Sequence, residues 1–64
     1  MLYSIKRVAE TIDEYIPDER HRQVLKLRLC QNVGYEQIGE AVGYSPQWCR
    51  DLVKRYKKEI LSLV

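Results

Sequence analysis

The densest run of chemically capable side chains in this 64-residue sequence lies between Ser45 and Lys58 and reads Ser-Pro-Gln-Trp-Cys-Arg-Asp-Leu-Val-Lys-Arg-Tyr-Lys-Lys. Gln47 carries an amide donor and acceptor side by side, the pattern that matches an adenine edge. Arg50 carries paired donors that match guanine, and Asp51 can accept from the amino group of cytosine or steer Arg50. Lys54 follows one helical turn later. Arg50 has two further roles open to it, contact with an adjacent phosphate and a solvated surface position. Trp48 has three: apolar contact with a thymine methyl or a sugar, capping of the domain's own core, and contact with a protein partner, including a second copy. The base-reading candidates are therefore Gln47, Trp48, Arg50, Asp51 and Lys54.

Other chemistries find less support. His21 stands between Arg20 and Arg22 with no neighbouring serine or paired cysteine to activate, which suits a polar surface residue or a helix start. Glu36 and Glu40 lie one helical turn apart but lack a third ligand. Cys30 and Cys49 sit inside apolar patterns and form no close cluster, so both read as buried thiols; a zinc site needs about four ligands. A domain of this length is too small for a deep cleft. No enzymatic activity, metal or cofactor is expected.

Formal net charge is only +2, so the distribution matters more than the sum. From Arg50 to Lys58 five basic residues (Arg50, Lys54, Arg55, Lys57, Lys58) face one acid, Asp51. Arg20, Arg22, Lys26 and Arg28 form a second basic patch, while acids gather at Glu10, Asp13, Glu14, Asp18 and Glu19. Candidates for contact with a phosphate backbone are Arg22, Lys26, Arg28, Tyr44, Ser45, Arg55 and Lys58, helped by the free amides at the start of the last helix. The basic run from Lys54 to Lys58 has an alternative use in favouring a helix C-terminus.

These side chains need elements to position them, and the apolar spacing predicts four helices, at about 3–15, 19–31, 35–42 and 46–61. Ile5, Val8, Ala9, Ile12 and Ile16 make a stripe on the first, which Ser4 can start and Pro17 ends. Asp18 is the expected N-cap of the second, whose wide apolar arc (Val24, Leu25, Leu27, Leu29, Cys30) suits a central helix with a basic exposed strip. Gly34 either terminates this helix or starts the next. The third buries Ile38, Ala41 and Val42. Gly43 provides a tight exit, and Ser45 with Pro46 is the sharpest helix-start signal in the chain. Gly39 either allows the longer helix to approach or is a tolerated exposed glycine. The expected fold is all-α, one compact four-helix domain spanning residues 1–64, with a helix-turn-helix over 35–61 whose second helix enters the major groove by its N-terminal turns.

The stretches from Arg20 to Leu29 and from Tyr35 to Ser45, with the core Ile38-Gly39-Glu40-Ala41-Val42-Gly43, resemble the promoter-reading C-terminal domain of bacterial sigma factors. They are also similar to small phage transcriptional activators of late or packaging genes. The resemblance covers Arg20 to Ile60. It implies a four-helix module that reads duplex DNA through its last helix, with DNA-reading side chains at Pro46, Gln47, Arg50 and Asp51. Pro46 and Trp48 depart from the family pattern, so no familiar promoter element is assigned. A full sigma factor also needs a polymerase-clamping and promoter-melting domain, so the chain reads as a free-standing regulator or a fragment of a longer protein.

The expected function is sequence-specific binding of double-stranded DNA as a phage or bacterial transcription regulator. One alternative is the DNA-recognition domain of a phage packaging or other mobile-element assembly protein. Another is a protein-binding adaptor that contacts RNA polymerase or a sigma-like partner through Ile5, Val8, Ile12 and Ile16. That stripe has two more possible uses, packing on the second helix and forming a homodimer on paired half-sites. No segment has the roughly 20 apolar residues of a membrane span, and no secretory signal is evident, so a cytoplasmic location is expected.

Overall fold

Three of the four helices begin at a side chain that accepts from their free amides. The structure, a computed structural model, describes residues 4–64 and contains α1 (Ile5–Tyr15), α2 (Glu19–Leu29), α3 (Tyr35–Val42) and α4 (Pro46–Leu63). Ser4 caps α1, its Oγ accepting from the Arg7 amide at 3.4 Å; Tyr3, the expected first residue, lies outside the described residues. The helix gives way to extended backbone at Ile16, immediately before Pro17. Asp18 caps α2 by accepting from the amides of Arg20 (2.9 Å) and His21 (3.1 Å). The His21 amide is the main cause that holds the Asp18 carboxyl below its ordinary pKa.

α2 stops at Leu29, short of the expected Gln31. The cause is Asn32, which takes a left-handed conformation (φ 55°) while its amide donates to the Arg28 carbonyl and the Val33 amide to that of Leu27. Asparagine tolerates this region better than most residues. Gly34 is thereby free to serve as the N-cap of α3 in an extended conformation. At the other end of α3, Gly43 is left-handed (φ 83°), and the amides of Gly43 and Tyr44 both donate to the Gly39 carbonyl, at 2.8 and 3.1 Å. Ser45 then caps α4 by accepting from the Trp48 amide at 3.2 Å, with Pro46 in the first turn. α4 continues past the expected Leu61 to Leu63.

α2 packs on α1, α3 and α4, and α4 likewise packs on α1, α2 and α3, so the central position expected of α2 is shared with α4. The core joins Val8, Ile12 and Ile16 of the first segment to Val24, Leu25, Ile38, Val42, Cys49, Leu52, Val53 and Ile60. α1 thus uses its stripe within the domain. Two expected core residues are exposed. Ile5 (52% exposed) lies level with Cys30, whose Sγ reaches the Ile5 carbonyl at 3.7 Å, at the point where α2 has already ended. Ala41 points away because the buried arc of α3 is defined by Ile38, Gly39 and Val42. Cys30 is half-buried rather than buried, whereas Cys49 is fully enclosed; both thiols are free, and burial pushes the pKa of each up.

Gly39 fixes how closely the segment after α3 can return. A Cβ there would lie 2.4 Å from the Tyr44 carbonyl oxygen and 3.4 Å from the Pro46 nitrogen. The close approach is therefore to the turn backbone and not to the body of α4, and the glycine is buried rather than exposed. Across the domain, the Tyr15 hydroxyl donates to the Glu59 carboxylate and joins the end of α1 to α4. That hydrogen bond, with the nearby negative charge, raises the Tyr15 pKa. Among the described residues no helix is long and apolar enough to cross a membrane.

Candidate nucleic-acid interface

At about 100° per residue along α4, the inward side chains Cys49, Leu52, Val53 and Ile60 occupy one side of the helix. Gln47, Arg50, Asp51 and Lys54 fall on the opposite side, within an arc of roughly 100°, and all four are exposed. The sequence-predicted polar row is thus brought together on a single face. Within it the Gln47 side-chain amide donates to Asp51 at 3.2 Å, one turn apart. This hydrogen bond does not use the Gln47 side-chain oxygen or the second Asp51 oxygen.

Arg50 stands at one edge of the row. Its guanidinium carbon is 5.5 Å from the centre of the Tyr35 ring, at the start of α3. Arg28 of α2 reaches the same ring, at 4.4 Å, and is further fixed by donating to the Val33 carbonyl at 3.1 Å. Tyr35, Arg50, Pro46, Gly34, Glu36 and Gln37 line an open groove of about 660 Å³ between the beginnings of α3 and α4. Cation–π attraction at such distances orders a guanidinium without removing its hydrogen-bond donors.

The other edge is aromatic. Trp48 is half-buried against the core and stacks on Tyr44 with ring centroids 3.9 Å apart and planes 27° from parallel. His21 of α2 approaches the indole at 5.4 Å, and the Arg20 guanidinium lies 5.5 Å from the Tyr44 ring. Trp48 therefore joins α2, the turn and α4, which corresponds to the capping role among its three readings. Beyond it, His21, Trp48, Asp51, Leu52 and Arg55 line a smaller groove of about 250 Å³.

The two basic patches differ in what their side chains already touch. Arg22 donates from one nitrogen to the carbonyls of Ile16 and Pro17, at 2.8 Å each, closing the end of α1. Lys26 pairs with Asp13 of α1 at 2.5 Å, and Arg28 is held as described above. All three are half-buried, so the strip on α2 expected to be basic and exposed keeps only Arg20 fully exposed. On α4, by contrast, Lys54, Arg55 and Lys58 are exposed. Ser45 uses its hydroxyl as a cap, and Tyr44 lies half-buried under the indole.

Tyr35 and His21 belong to this arrangement, although neither stood among the expected site residues. A tyrosine at a helix start, near in sequence to several arginines, was the available signal for Tyr35. His21 offered none, because its partner Trp48 is distant in sequence. Among the described residues no group of three or more His, Cys, Asp or Glu side chains is placed to hold a metal ion. Comparison of the chain with family models, curated proteins and solved structures finds no match.

Proposed function

We propose that this domain binds double-stranded DNA in a sequence-specific manner, using α3 and α4 as a helix-turn-helix with α4 in the major groove, as a phage or bacterial transcription regulator. The observation that carries the reading is the exposed row of Gln47, Arg50, Asp51 and Lys54 at the beginning of an 18-residue helix. Donors and acceptors with these geometries discriminate base edges, and a helix is the element that fits the major groove. The left-handed Gly43, the Ser45 cap and the buried Gly39 hold the start of α4 against α3. Such rigidity suits side chains that must meet base edges in register.

Phosphate contacts come from Arg55 and Lys58 on this reading, with Tyr44 and Ser45 near the turn. Arg22, Lys26 and Arg28 act first as internal braces. Trp48 holds the turn and the flank of the reading face. The test is a binding selection from randomised duplex DNA at several salt concentrations, repeated with Arg50→Ala. Enrichment of a defined sequence that Arg50→Ala loses, with affinity falling as salt rises, is the expected result. No duplex preference and no salt dependence would sink the proposal. Recovery of RNA polymerase with the DNA-bound protein would then favour transcription over an assembly role.

A further inference from the structure

Two guanidiniums share one tyrosine ring, yet they are held very differently. Arg28 has both the Tyr35 face at 4.4 Å and the Val33 carbonyl at 3.1 Å. Arg50 has the ring at 5.5 Å and is exposed. Arg28 is thus a fixed positive charge beside the same ring, and like charges repel. Arg50 meets the ring from the edge of the row formed by Gln47, Asp51 and Lys54, without the second hydrogen bond that fixes Arg28. Arginine keeps its planar fork of donors when it lies over an aromatic face.

We infer that Tyr35 is the positioning residue for Arg50, holding its guanidinium ready to read a guanine, so that a residue of α3 with no base contact of its own sets discrimination at one base pair. The inference rests on the duplex-binding reading proposed above. Without the ring, a long side chain samples many rotamers before it can make the two-bond contact with guanine, and ordering it lowers discrimination. The lost attraction corresponds to roughly a two- to five-fold change.

The experiment has a part that needs no DNA. In the free protein, the Arg50 δ-methylene protons should show an upfield ring-current shift by NMR that persists in Tyr35→Phe and disappears in Tyr35→Leu. The absence of that shift in the unmodified protein overturns the inference without any variant. In the duplex selection, Tyr35→Phe should retain the guanine preference, and Tyr35→Leu should weaken it about two- to five-fold at a single position, with the salt slope unchanged. In an Arg50→Ala background, Tyr35→Leu should have no further effect on that preference. A Tyr35→Leu protein that selects like the parent, that weakens equally on every sequence, or that acts independently of Arg50 overturns the inference and leaves the proposed function standing. If the unmodified protein selects no duplex sequence, both fail.

Discussion

Alanine is usually the better residue inside a helix, by about 1 kcal/mol over glycine, yet Gly39→Ala should destabilise this protein. The added methyl carbon would lie 2.4 Å from the Tyr44 carbonyl oxygen, about 1 Å inside ordinary contact. That oxygen cannot easily retreat. The Tyr44 amide is bonded to the Gly39 carbonyl, Gly43 is already left-handed, the Tyr44 ring is stacked on Trp48, and Pro46 follows in the first turn of α4. Overpacking of this kind costs about 1–3 kcal/mol, and a clash with backbone belongs near the upper end. Set against the gain in helix propensity, the net loss is about 2 kcal/mol. For a domain of this size that lowers Tm by roughly 10 °C. Far-ultraviolet circular dichroism with heat and urea measures it. Gly34→Ser is the control, because a Cβ at Gly34 meets nothing within 4 Å and the hydroxyl can cap α3; it should match or slightly exceed the parent. A Gly39→Ala protein at least as stable as the parent would refute the argument that the turn is pressed against this position.

Ser45→Ala removes the acceptor for the Trp48 amide and should lower stability in urea by about 1 kcal/mol; no change would show that the hydroxyl contributes no useful cap. Arg22→Ala should destabilise by about 1.5–3 kcal/mol through its two carbonyl partners without altering the salt dependence of DNA binding. Arg55→Ala should do the reverse, reducing the salt slope by about one at unchanged Tm; a reversal of the two results would remove the distinction between brace and contact. In native-state thiol labelling followed by mass spectrometry, half-buried Cys30 should react before enclosed Cys49. The Asp18 pKa is lowered on folding, so its contribution is present above the ordinary aspartate pKa and is lost as pH falls through the folded value. Denaturation from pH 5 to pH 2 should therefore show a component that Asp18→Asn lacks, and equal slopes would count against the cap.

What could be read from the sequence was chemistry acting within a few residues. Ser4, Asp18 and Ser45 announce helix starts because their acceptors reach amides two or three positions ahead, and Gly43 announces an exit because it lacks a Cβ. The exposed row on α4 was legible for a related reason, since helical periodicity places Gln47, Arg50, Asp51 and Lys54 opposite Cys49 and Leu52. The end of α2 was hidden because Asn32 takes the left-handed conformation two residues before a glycine that appeared to be the natural breaker. The pairings of Tyr35 with Arg50, His21 with Trp48 and Tyr15 with Glu59 were hidden more deeply. They depend on which helices meet, and local propensity contains no such information.

The same distinction bears on how charge is used. A net charge of +2 is weak by itself, and two cationic clusters of similar density look equivalent in the sequence. Folding makes them unequal. Arg22 closes the end of α1, Lys26 meets Asp13, and Arg28 fixes the start of α3, so the cations of α2 stabilise the scaffold. Asp18 and Asp13 are likewise engaged, one as a cap and one as an ion-pair partner. Lys54, Arg55 and Lys58 remain exposed along α4, on and beside the row that starts at Gln47. These exposed cations therefore lie on the same helix as the side chains proposed to read base edges. On the proposed duplex-binding reading, electrostatic attraction and sequence discrimination act along one element, which would let a nearly neutral domain orient itself on DNA before its specific contacts form.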